Sequence, residues 1–281
     1  MLELWYTAAD FLLPWQWMSH MFMKNALLAV LLVTPLFGIL GTMVVNNRMA
    51  FFSDALGHGA FTGIAIGSLL GLMRPIGAAT AFSIFFAVII TIIKNKSRSS
   101  TDTIIGVFSS TAVAVGLVLL SYGGSFNRYS SYLIGDLLSI TPQEIVMLFW
   151  VFIGVVLLWM ITFNKVLLVS INQSLAASRG IHTLWVEIIF AALIAVIVTI
   201  TIQWVGLLII NSLLVLPAAA SRNISQNVRQ YHLISVFTAV ASGIIGLLLS
   251  YYWNTATGAT IVLVAAIFFF ITLALRNSLT V

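Results

Sequence analysis

The sequence predicts an all-α polytopic membrane protein, and three observations carry that reading. Of 281 residues, 61% are hydrophobic and only 7% charged, too few charges to cover a globular surface. The apolar residues fall into repeated runs of about the 17–25 residues a helix needs to cross hydrocarbon. The basic residues stand singly or in threes between these runs, so the net charge of +5 reads as a topology signal and not as a nucleic-acid surface. Eight to ten spans are expected, with nine the leading count, together with a short cytoplasmic helix and an outer half-helix. Residues 1–24 read as an interfacial segment and 25–281 as a single transmembrane domain.

Met1 to His20 mixes Glu3, Asp10 and Pro14 with Trp5, Tyr6, Trp15 and Trp17, which is too polar to span but rich in interfacial aromatics. It lacks the basic start and small-residue cleavage site of a signal peptide, so the first span, about 25–45, is expected to remain as an uncleaved insertion signal. The second span covers about 54–72. A Met73-Arg74-Pro75 turn precedes the third, about 76–93, which ends in the basic cluster Lys94, Lys96 and Arg98. A fourth span, about 103–122, leads to an outer loop of Gly123, Gly124, Ser125, Asn127 and Arg128. Residues 132–140, with Asp136, are too short to cross and read as the outer half-helix.

Thr141-Pro142-Gln143-Glu144 is a helix start signal, with Pro at the first position and an acid in the first turn of the fifth span. Asn172 to His182 then reads as a short cytoplasmic helix with a stop at Gly180. The sixth span, about 184–202, and the seventh, about 205–219, are expected to meet at a tight Gln203-Trp204 turn, and Pro217 to kink the seventh. Glu187 reads as complementing the N-terminus of the sixth span. An inner loop bracketed by Arg222 and Arg229 precedes the eighth span, about 233–249, and the ninth, about 259–275. The basic residues place Arg48, Lys94, Lys96, Arg98, Lys165, Arg179, Arg222, Arg229 and Arg276 inside and Lys24, Arg74 and Arg128 outside, with a cytoplasmic C-terminus.

The chemistry concentrates in the second span. Asp54 and His58 are four residues apart, hence on one helical face, and an ionisable pair inside a membrane segment usually faces a bundle interior or a water-filled path. Gly59, Gly63, Gly67 and Gly71 recur every fourth residue and form a stripe without side chains, which lets a neighbouring helix approach closely. With no cysteine in the chain, any metal must use oxygen and nitrogen donors. A carboxylate and an imidazole suit a divalent first-row cation such as zinc or manganese. One chain supplies only two good ligands, so two more from a symmetry mate would complete a transient site. A structural Asp–His hydrogen bond and a proton relay are the competing readings. Asp102 reads as a helix N-cap, while Asp136 is balanced between attracting cations at an outer mouth and being a solvated acid. His20, His182 and His232 read as interfacial. The 172–180 segment (Asn172, Gln173, Ser174, Leu175, Ala176, Ala177, Ser178, Arg179, Gly180) is either an ordinary polar linker or a surface that a soluble partner grips. No phosphate loop, His-Glu-x-x-His motif or nucleophile elbow is present, so this chain is not expected to be an enzyme, and any ATP must be hydrolysed by another chain.

Residues 48–59, Arg-Met-Ala-Phe-Phe-Ser-Asp-Ala-Leu-Gly-His-Gly, resemble the signature of the zinc/manganese-type permease subunits of bacterial ABC importers. Thr101-Asp102-Thr103 with Ile105-Gly106, the run Tyr132-Leu133-Ile134-Gly135-Asp136-Leu137-Leu138, and Val205-Gly206-Leu207-Leu208 through Leu216-Pro217-Ala218-Ala219-Ala220 follow in the family's order. Ser53 replaces a usual Gly, Gly57 a common Ser, and Thr62 a frequent Pro or Leu; Asn172 and Ser174 stand where acids are often found. The resemblance implies a homodimeric permease in the bacterial cell membrane, surrounded by lipid and without a nucleic-acid partner. Asp54 and His58 would line its pathway, a cytosolic ATPase dimer would grip 172–180, and an extracytoplasmic metal-binding protein or lipoprotein would deliver the ion. No permanently bound cofactor is implied. The cargo would be zinc, manganese or ferrous iron, and the 132–142 run and the Trp253 to Gly258 turn look closest to zinc permeases. A self-contained metal/proton antiporter and a substrate-free scaffold are the alternatives from other classes.

Overall fold

The computed structural model describes residues 2–12, 16–72, 75–124, 129 and 131–279, and the described residues contain helices and no strand. The helices are α1 (Leu2–Leu12), α2 (Met21–Asn46), α3 (Phe52–Leu69), α4 (Ile76–Lys96), α5 (Thr101–Tyr122) and the single turn α6 (Ser131–Ile134). They continue with α7 (Pro142–Ile171), α8 (Gln173–Ser178), α9 (Thr183–Val205), α10 (Leu207–Ile224), α11 (Val228–Trp253) and α12 (Thr257–Leu279), with 3-10 turns at Gln16–Ser19 and Leu137–Ser139. Residues 73, 74 and 125–128, where a turn and most of an outer loop are expected, lie outside the described set.

Among the described residues seven helices are long and apolar enough to cross a membrane: α2, α4, α5, α7, α9, α11 and α12. The other two expected spans, α3 and α10, are 18 residues each. Helix α3 falls short because Asp54, His58 and four glycines lower its hydropathy, whereas α10 is apolar over Ile209–Ile224 and falls short in length. Both are packed inside the bundle. Helix α3 touches α4, α5, α9 and α10, whereas α10 touches α2, α11 and α12 as well as α3. Helix α3, which carries the ionisable pair, is thus enclosed by its neighbours, which is where a membrane bundle keeps its polar groups.

Close approach of helices depends on the missing side chains. A Cβ at Gly59 would lie 2.7 Å from Phe86 Cδ1, one at Gly63 2.7 Å from Ala79 Cα, and one at Gly67 2.9 Å from Pro75 Cβ. All three contacts are with α4 or the residue before it, so this part of the stripe is where α4 docks on α3. Gly71 does not belong to it: its φ is +74°, nothing would meet its Cβ, and it serves the turn after α3. On the opposite side a Cβ at Gly116 of α5 would lie 2.9 Å from Thr62 Oγ1, and Thr62 donates to the Ala112 carbonyl at 2.6 Å.

Several boundaries differ from expectation. The sixth and seventh spans do not meet at Gln203-Trp204, since both residues lie within α9; the chain turns at Gly206, with φ +89°. The outer half-helix is broken: α6 is one turn, Gly135 takes φ +75°, and a Cβ there would collide with the backbone of Val205 and Gly206. The helix cap of α5 is Ser100, whose Oγ accepts from Thr103 N at 3.2 Å, so Asp102 sits exposed in the first turn and is not the cap. At α7 the Thr141 and Glu144 side chains form a reciprocal capping box, with Glu144 Oε2 accepting from Thr141 N at 2.8 Å. Helix α1 folds back on α2 through Trp5 Nε1 donating to the Lys24 carbonyl, Tyr6 Oη donating to Asn25 Oδ1, and a Lys24–Asp10 ion pair.

The α3–α4 seam gives a direct test. Gly63→Val must displace backbone of α4 and is expected to lower the thermal midpoint of the detergent-purified protein, by the equivalent of about 1–3 kcal/mol of overpacking. Gly77→Ala, where a Cβ meets nothing within 4 Å, is expected to leave the midpoint unchanged. Fluorescence-detected thermal unfolding of the two variants checks both.

Candidate functional site

The site begins at the turn between α2 and α3. Asn47 N donates to the Met43 carbonyl at 2.9 Å and Met49 N to Val44 O at 2.9 Å, closing α2 around Arg48, whose φ of 55° is left-handed. A non-glycine residue there costs roughly 1–2 kcal/mol, so the turn is held by its surroundings. Phe52 and Ser53 are fully buried, and Ser53 Oγ donates to Asn211 Oδ1 at 2.5 Å, tying the start of α3 to α10. Ser83 of α4 donates to the Leu56 carbonyl at 3.4 Å. Helix α3 is therefore fixed from α4, α5 and α10 along the length that carries its ionisable pair.

Asp54 lies in the first turn of α3, where the unpaired N–H groups favour a negative charge. His58 Nε2 is 3.6 Å from Asp54 Oδ2, too long for a good hydrogen bond and close enough for two donors to share one ion. Asp54 and His58 are 37% and 19% exposed, while Ser53, Ala55, Leu56 and Gly57 around them are buried. The pair thus forms a polar face on an otherwise enclosed helix, open on one side. Among the described residues no group of three or more His, Asp and Glu side chains could hold a metal ion. One chain offers one carboxylate and one imidazole.

The remaining expected site residues stand apart from this pair. Asp136 is exposed; its Oδ1 accepts from Leu138 N at 3.1 Å, which makes it the cap of the Leu137–Ser139 turn. Its own N–H donates to the Gln203 carbonyl at 3.3 Å. The 172–180 segment contains α8, capped by Asn172 Oδ1, which accepts from Leu175 N at 3.0 Å. Gln173, Ser174, Leu175, Ala177, Ser178, Arg179 and Gly180 are exposed and Ala176 is buried, so the short helix rests on one small residue and presents the others outward. Gly180 has φ +74° and ends the segment. His20 and His182 precede α2 and α9, whereas His232 lies within α11, its Nε2 2.9 Å from Thr42 Oγ1 and its Nδ1 donating to the Val228 carbonyl.

Two polar partners were not legible in the sequence. Asn211 reads there as one more polar residue in an apolar run, and its bond to Ser53 joins positions 158 apart. Glu187 does not complement a helix end: it lies beyond the first turn of α9 and bonds side chains of α4 and α8. The basic cluster Lys94, Lys96 and Arg98 was visible, but not that Lys94 would meet Glu187.

A bundle of apolar helices that encloses α3 and leaves its carboxylate–imidazole pair partly exposed has the architecture of a membrane protein with a polar site among its helices. The chain belongs to the ABC 3 transport family, whose model matches residues 19–276. It is 30% identical over 254 residues to the manganese transport system membrane protein MntC of Listeria innocua, covering 90% of each chain. It is likewise 30% identical over 246 residues to the high-affinity zinc uptake system membrane protein ZnuB of Buchnera aphidicola, covering 87% of this chain and 94% of that one. Among solved structures, PsaBC from Streptococcus pneumoniae in complex with Fab superimposes with a TM-score of 0.80 at 27% identity, covering 97% of this chain and 95% of that chain.

The Ser53–Asn211 bond is testable by a double-mutant cycle. Asn211→Leu leaves the buried Ser53 hydroxyl without its partner and is expected to destabilise by about 1–3 kcal/mol. Adding Ser53→Ala is expected to recover part of that loss, because both polar groups are then gone. Thermal midpoints of the four proteins in detergent measure the coupling.

Proposed function

We propose that this chain is the membrane-spanning permease subunit of an ATP-driven importer of divalent transition-metal ions, working as a homodimer, with zinc as its cargo. The observation that carries the reading is the half-open Asp54–His58 pair on the enclosed helix α3. A permanent zinc site uses a closed set of four ligands, whereas an ion in transit must leave again. Two donors from each of two copies meeting across a two-fold axis supply four, in a site that opens when the copies separate. Family membership supports an ABC transporter with a separate ATPase and a metal-delivering protein outside the cell. The exposed surface of α8 suits contact with the ATPase, and the basic residues suit nine spans in a bacterial cell membrane with the C-terminus in the cytoplasm.

Relatives named for manganese and for zinc are equally identical to this chain, so identity does not separate the two cargoes. Zinc rests on the 132–142 run and the Trp253 to Gly258 turn. The donor set itself, one carboxylate and one imidazole per chain, accepts zinc, manganese or ferrous iron. ATP binding and hydrolysis would shift the α8 helices and alternate outward and inward access to the site. Asp136 near the α6 turn would add a carboxylate at the outer mouth.

Proteoliposomes holding this chain and its ATPase, loaded with ATP and supplied with the binding protein, are expected to accumulate radioactive zinc with little inhibition by manganese. Asp54→Ala and His58→Ala are each expected to lower uptake about tenfold or more. Strong inhibition by manganese would reassign the cargo, and uptake that ignores ATP but follows a proton gradient would replace this reading with an antiporter.

A further inference from the structure

Helices α4 and α8 converge on one carboxylate of α9, away from the Asp54–His58 pair. Glu187 of α9 accepts from Gln173 Nε2 of α8 at 2.7 Å through Oε1. Its Oε2 accepts from Asn95 Nδ2 at 2.8 Å and pairs with Lys94 Nζ at 2.8 Å, both at the end of α4. Lys94 Nζ lies in turn 3.9 Å from Met49 Sδ, in the turn that leads into α3. The Glu187 and Lys94 side chains are only 14% and 16% exposed, so water screens this ion pair less than a surface one. Asn47, Met49, Thr91, Lys94, Glu187 and Phe190 line a common crevice there.

Helix α8 is one and a half turns long and rests on α7 and α9. Gln173 is its side-chain bond to Glu187, and Glu187 is bonded to α4. Helix α4 is the partner that docks on Gly59, Gly63 and Gly67 of α3. A displacement of α8 therefore either breaks a charge-assisted hydrogen bond or carries Glu187 and the end of α4 with it. Because the glycine seam has no free space, an α4 that moves takes α3 along. We propose that Glu187 is a positioning residue that transmits movement of α8 through Lys94 and Asn95 to α3, coupling ATP turnover in the partner subunit to opening of the Asp54–His58 pair. This rests on the reading of α8 as the helix that the ATPase grips.

A contiguous network becomes a coupling path only when its disruption changes coupling and not merely folding. The measurement is therefore zinc transported per ATP hydrolysed, in proteoliposomes holding the full permease, the ATPase and the binding protein. The wild-type complex comes first: if it shows no ATP-dependent zinc uptake, the importer reading falls, and this proposal with it. Given a coupled wild type, Glu187→Gln is expected to assemble and hydrolyse ATP near the wild-type rate. Its zinc-to-ATP ratio is expected to drop about fivefold, within the range that single coupling residues reach. The exchanged pair Lys94→Glu with Glu187→Lys is expected to restore most of the ratio. A wild-type ratio in Glu187→Gln would overturn the proposal, as would hydrolysis and uptake falling in equal proportion, the mark of a purely structural brace. If Glu187→Gln fails to assemble, Gln173→Ala removes the bond from α8 to Glu187, and a wild-type ratio in that variant overturns the proposal equally.

Discussion

The cost of holding Asp54 and His58 inside an apolar bundle is the constraint that the rest of the molecule answers to. Ionisable side chains within a membrane bundle are costly unless they face its interior or a water-filled path, so a helix carrying two of them needs enclosure. Helix α3 obtains it by being thin: three glycines let α4 come within contact of its backbone, and Thr62 and Gly116 do the same for α5. The price is low hydrophobicity, which is why α3 cannot stand alone as a membrane-crossing helix and is surrounded by helices that can.

Enclosure also requires every buried polar group on α3 to be satisfied. The hydroxyls of Ser53 and Thr62 and the carbonyl of Leu56 find partners on α10, α5 and α4 respectively. Among the described residues no buried side-chain nitrogen or oxygen is left without a partner. On α3 the ionisable pair stays partly exposed, His58 at 19% and Asp54 at 37%, which leaves it accessible to an ion or to water.

How much of this was legible in the sequence follows from the range of each interaction. Local patterns were readable: the i, i+4 spacing of Asp54 and His58, the helix start at Thr141 to Glu144, and the Gly59 to Gly67 repeat all act within one or two turns of helix. The errors came where a distant partner decides. Gln203 looks like a turn residue until its side chain is seen to donate to Glu144 Oε1 at 2.9 Å, which lets α9 continue to Val205. Gly135 looks like part of a half-helix until Gly206 is packed against it, which requires both to lack a Cβ. Gly71 shares the spacing of the stripe but lies beyond the end of α3. Ser100 and Asp102 are both good caps by residue type, and only the backbone direction at Ser100 separates them. The partners of Glu187 lie 14 and 92 residues away, beyond any helical period.

The central claim is that two copies of α3 build one transient metal site from nitrogen and oxygen donors. The most direct measurement is the zinc X-ray absorption spectrum and zinc content of the purified permease complex, trapped with metal bound. The account predicts one zinc per two permease chains, with outer-shell scattering from two imidazoles that disappears in His58→Ala. One zinc per chain, or imidazole scattering that survives that substitution, would contradict it.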